Sequence, residues 1–128
     1  MSYYFNKQVD ITFEQAIERV TEELKKEGFG ILTEIDVQQT LKKKLDVEFR
    51  KYKILGACNP PFAYKALQME DKIGVMLPCN VIVQELESNR IEVAAVDPYS
   101  SMGGIKNPGL NDVASQVRDK LEKVIKNI

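Results

Sequence analysis

Two apolar runs, Val81-Ile82-Val83-Gln84-Glu85-Leu86 and Ile91-Glu92-Val93-Ala94-Ala95-Val96, are separated only by Glu87-Ser88-Asn89-Arg90. Short runs rich in β-branched residues read as strands. Four polar residues reverse a chain, but they do not carry it across a sheet, because a parallel crossover needs about a dozen residues. The two runs therefore predict a hairpin, and the hairpin predicts an antiparallel sheet.

Helical patterns surround this hairpin. Thr12-Phe13-Glu14-Gln15 is a capping-box sequence, in which the Thr12 hydroxyl takes the Gln15 amide and the Gln15 side chain reaches back. Phe13, Ala16, Ile17, Val20 and Leu24 then recur at helical spacing, and Gly28 follows Lys25-Lys26-Glu27 as a closing residue. Leu110, Val113, Ala114, Val117, Leu121, Val124 and Ile125 keep the same spacing in a terminal helix over Asn111 to Asn127. Between these lie a strand over Phe29 to Val37 and a short lysine-rich helix over Gln38 to Leu45. A strand over Val47 to Ala57 follows, with a helix capped by Asn59 and opened by Pro60-Pro61 after it. Tyr3 to Val9 reads as the first strand, and Ile73 to Leu77 as a short apolar strand stopped by Pro78. The phase of the second strand puts Phe29, Ile31, Thr33, Ile35 and Val37 on one side.

The predicted order is β-α-β-α-β-α-β-β-β-α. This is an α+β domain with a mainly antiparallel sheet of about five strands packed with three main helices. A chain of 128 residues is one domain's worth, and no linker or low-complexity stretch divides it, so residues 1–128 form a single domain.

The balance of 18 basic and 19 acidic side chains offers no excess to grip phosphates, so nucleic acid is not an expected partner. No apolar run approaches the ~20 residues of a membrane helix, and Met1 to Lys7 lacks the pattern of a secretion signal. The expectation is a cytoplasmic protein without a membrane partner, in which Cys58 and Cys79 are free thiols.

The absence of His removes Ser-His and Cys-His nucleophile pairs and the commonest transition-metal ligand. Two cysteines supply at most half of a tetrahedral zinc site, so no metal is expected. Nothing points to a particular cofactor. The segments that stand out are Gly56-Ala57-Cys58-Asn59-Pro60 and Leu77-Pro78-Cys79-Asn80-Val81, both at element boundaries. Cys58 precedes a helix start, where free NH groups and the helix dipole favour an anion or a thiolate. Three readings stay open: buried small hydrophobes, the walls of a pocket for a small anionic ligand held by Cys58, Asn59, Cys79 and Asn80, or a reactive Cys58 in a thiol-dependent redox or transfer enzyme. The Gly- and Pro-containing segment from Asp97 to Gly109, with Tyr99 and Met102, either closes over such a pocket or merely joins sheet to helix.

Ile54-Leu55-Gly56-Ala57-Cys58-Asn59-Pro60, Ala63, Ala66-Leu67, Ile73-Gly74-Val75-Met76-Leu77-Pro78-Cys79-Asn80-Val81 and Asp97-Pro98 together resemble the domain-of-unknown-function 302 family. The resemblance covers most of the chain. It implies a small α+β protein of bacterial or archaeal type that pairs as a homodimer, with the two Cys-Asn segments as hallmarks. It implies no activity.

Overall fold

The computed structural model describes residues 2–128. Five strands form one antiparallel sheet: β1 (Tyr4–Val9), β2 (Gly30–Asp36), β3 (Tyr52–Cys58), β4 (Cys79–Glu85) and β5 (Ile91–Val96), in the spatial order β1-β5-β4-β3-β2. The hairpin of the last two strands is present, with Glu85 opposite Ile91 and Val81 opposite Ala95. β2 to β5 run as a meander, and β1 closes the far edge beside β5, with Tyr4 opposite Val96.

The helices are α1 (Phe13–Lys26), α2 (Val37–Leu45), α3 (Pro60–Met69), the single-turn α4 (Pro98–Ser101) and α5 (Pro108–Lys126). α1 begins at its capping box: Thr12 Oγ1 accepts from the Gln15 NH at 3.1 Å, and the Thr12 NH donates to Gln15 Oε1 at 3.0 Å. Its buried side chains, Phe13, Ala16, Val20 and Leu24, lie on the predicted face. α5 likewise buries Leu110, Val113, Ala114, Val117, Leu121, Val124 and Ile125. Both helices pack on the sheet face formed by Leu55, Val81, Val83, Val93 and Ala95, all fully or nearly fully buried. Each large aliphatic chain withdrawn from water there contributes roughly 1.5–3 kcal/mol.

The structure corrects several local expectations. Asp71–Met76 is a 3-10 helix and not a strand; Ile73 alone of its residues is buried, and Val75 and Met76 are exposed. A short apolar run does not by itself distinguish a strand from a helical turn. β3 begins only at Tyr52, after an irregular stretch from Val47. α5 starts earlier than predicted because Pro108 takes the first helical position, where its missing NH costs nothing. The loop after β5 contains α4, whose first NH groups, those of Tyr99 and Ser100, both donate to Asp97 Oδ1.

β2 carries the largest difference. Ile31 pairs with Ala57 and Thr33 with Gly56, so Leu32 is an extra, bulged residue. The bulge flips the phase that simple alternation predicts. Phe29 and Ile31 pack on the core, whereas Thr33 and Ile35 fall on the opposite face of the sheet. Among the described residues, no helix packs across the middle of that opposite face, where Ile35, Ile54, Ile82 and Ala94 lie side by side across four strands. Among the described residues, no helix is long and apolar enough to cross a membrane.

Candidate functional site

Cys58 ends β3 and Cys79 begins β4. Because Ala57 sits directly opposite Cys79, the two cysteines are diagonal neighbours across one antiparallel pair. Both are free thiols, Cys79 buried and Cys58 half-buried. The strands meet closely here because residue 56 has no side chain: a Cβ on Gly56 would collide with Thr33 Oγ1 and come within 2.8 Å of Pro78 Cγ. Pro78 follows a cis peptide bond from Leu77.

The two cysteines line the same hollow, of about 260 Å³, between this end of the sheet and the helices. Phe62, Ala63 and Ala66 of α3 form one wall, and Leu110, Val113, Ala114 and Val117 of α5 another. Pro98 and Met102, from the segment after β5, close a third side, and the bulged Leu32 lies at the rim, 68% exposed. Alanines at three facing helical positions leave volume that larger aliphatic side chains would fill. Helical periodicity had marked these residues as core, and only their size hinted at a cavity. Of the segment from Asp97 to Gly109, Met102 is buried in the wall, whereas Tyr99 is exposed with its ring near the Arg118 guanidinium.

The four residues predicted for the site do not all converge. Cys58, Asn59 and Cys79 line the hollow. Asn80, next along β4, faces the other side of the sheet, in a groove with Tyr4, Tyr52 and Ile82. Strand alternation turns the Asn80 side chain away from that of Cys79, and the two residues meet only at a smaller cleft at the sheet end, with Pro98 and Met102.

Asn59 also differs from its predicted role. It stands at the cap position of α3 but makes no capping bond. A capping oxygen needs the NH of the second or third helical residue, and the second is Pro61. The side chain turns instead to α1, where Nδ2 donates to the Glu27 carbonyl oxygen at 3.0 Å. That oxygen belongs to the helix end, where carbonyls lack an intrahelical partner. Gly28, at φ +87°, makes room for the amide: a Cβ there would stand 3.2 Å from Nδ2.

The electrostatics of the hollow are those of a hydrocarbon pocket. None of the residues lining it is charged. The two prolines opening α3 remove two of the NH groups that would hold an anion at a helix start. Burial, and secondarily the neighbouring Cys58, push the Cys79 thiol up to about 11. At neutral pH Cys79 is a neutral thiol and a poor nucleophile. In the lysine run on α2, Lys42 Nζ is engaged by Asp46 at 2.8 Å and Glu48 at 3.0 Å.

Comparison with curated proteins finds no match. Residues 5–128 match the model of the family described as domain of unknown function DUF302, and the chain belongs to that family. Among solved structures it is similar to an uncharacterised conserved DUF302 protein from Bacillus stearothermophilus. The two are 27% identical, with a TM-score of 0.92 over 99% of this chain and 98% of the other.

Proposed function

We propose that this DUF302-family chain is a binding protein for a small, largely apolar molecule held in the hollow between β3, β4, α3 and α5. One observation carries the reading: apart from the Asn59 amide, the hollow is walled by carbon and sulfur, and it reaches the surface at the segments that distinguish the sequence. Its volume of about 260 Å³ exceeds the ~150 Å³ of an apolar cavity that accepts benzene. The anionic ligand expected from the sequence is replaced by an apolar one, because a charge would lose its water and find no counter-charge in the walls.

Titration with toluene, followed by NMR of the alanine methyl groups, tests this reading. Saturable shifts of the Ala63, Ala66 and Ala114 methyls are expected, and Ala114→Phe should abolish them by filling the space. Unmoved wall methyls across a panel of neutral apolar probes would sink the proposal.

A thiol-dependent activity of Cys58 is the second reading, favoured by a half-buried sulfur beside a substrate-sized hollow. It requires alkylation of Cys58 with a pH midpoint clearly below the ~8.5 of an ordinary thiol. Labelling of Cys58 at the rate of a free peptide thiol would end it.

We also propose that two copies pair through the open sheet face. The row of exposed Ile35 and half-buried Ile54 and Ile82, flanked by buried Ala94, supplies an apolar surface. Glu92, two residues from Ala94 on β5, accepts from Asn6 at 2.9 Å and Gln84 at 2.8 Å, so its carboxylate would keep two hydrogen bonds at the edge of such a pairing.

A further inference from the structure

One polar side chain in the hollow has an acceptor oxygen with no protein donor. Asn59 is only 8% exposed and lines the cavity. The Glu27 carbonyl can only accept, so the Asn59 amide must turn its nitrogen toward it, and Oδ1 points elsewhere. Among the described residues no group donates to Oδ1. Apart from the two thiols, which are weak donors and acceptors, Asn59 is the sole wall residue with a polar side chain. Oδ1 is not sealed from water, so a bound donor would take the place of water there, in a setting where the apolar walls strengthen the hydrogen bond. The amide is also held in place before any ligand arrives, by the bond to Glu27 and by close packing on Gly28.

Resting on the reading of the hollow as a ligand site, we infer that its ligand is neutral and mostly hydrocarbon and carries one hydrogen-bond donor, a hydroxyl or NH, that Asn59 Oδ1 accepts. The apolar body fills the space between Phe62, Ala114 and Met102. The donor lies at the Asn59 end, beside Cys58. Two fused rings, or an aliphatic chain of similar bulk, match the volume. A carboxylate is excluded from the interior by the uncharged walls. The cations beside the Phe62 ring, Lys65 and Lys120, sit about 6 Å from it rather than in the cavity, and Lys120 pairs with Glu27 at 3.9 Å.

Three probes of one shape test this on the full chain: naphthol, methylnaphthalene, in which a methyl replaces the hydroxyl, and naphthoate. In Asn59→Leu, naphthol should weaken by about three- to tenfold, the worth of one net hydrogen bond, while methylnaphthalene binding is unchanged. Because Asn59 also braces α1, a second readout avoids the variant. The side-chain carbonyl carbon of Asn59 should move downfield in NMR with naphthol and not with methylnaphthalene. Equal losses for both probes, or a carbonyl carbon indifferent to the hydroxyl, would overturn the assignment while leaving the hollow as an apolar site. Naphthoate binding more tightly than naphthol would overturn the neutrality of the ligand and point to Lys65 and Lys120. Failure of all three to bind would overturn the ligand site itself, and this inference with it.

Discussion

At the scale of single residues, the middle of the sheet works because of what is missing from some positions and hidden at others. Gly56 has no substituent, and Gly56→Ala would press a methyl into the Pro78 ring and the Thr33 side chain. Thermal denaturation should show a loss of about 1–3 kcal/mol, the usual cost of overpacking. Cys79 is hidden from water, and its folded-state value of about 11 lies above the ordinary 9.0. Below pH 9 both folded and unfolded chains keep the proton. Between about 9 and 11 the unfolded chain gives it up while the folded chain must hold it, so stability falls as pH rises through that window. The loss should approach roughly 2–3 kcal/mol. Urea denaturation at pH 8 and at pH 10.5 measures it. Cys79→Ala should be less stable at pH 8 but should lack this part of the alkaline decline, and an identical decline in both proteins would contradict the assignment.

At the scale of elements, what was legible in the sequence was what is local. The α1 capping box involves residues three apart, and the α5 core face repeats every turn, so each can be read from a short window. Thr12→Ala should therefore cost about 1 kcal/mol, measured by chemical denaturation, with Gln15→Ala costing part of the same amount. The hairpin was legible for the same reason. The bulge at Leu32 was not, because an extra residue shows only against its partner strand. The partner of Asn59 was hidden as well, since Glu27 lies 32 positions away. Asn107 repeats that arrangement: it precedes the proline that opens α5, and its Nδ2 donates to the Met69 carbonyl at the end of α3 at 3.0 Å. In both places an Asn-Pro pair at a helix start is a brace between one helix end and the next. The hollow lay furthest from view, because empty space belongs to no residue.

At the scale of the whole molecule, helices cover one face of the sheet and leave the other to solvent or to a second copy. If copies pair through that face, light scattering should give twice the chain mass, and Ile82→Lys should halve it while leaving the circular dichroism unchanged. A single-chain mass for the unaltered protein would rule out the pairing. The sheet also has two free margins, β1 and β2, each with backbone groups able to recruit a stranger's strand. On the β2 side the recruitment is spoiled by Leu32, which throws the spacing of donors and acceptors out of step with any regular newcomer. A chain that holds so much valine and isoleucine in its strands thus carries its own guard against stacking into fibrils, in the form of one residue too many.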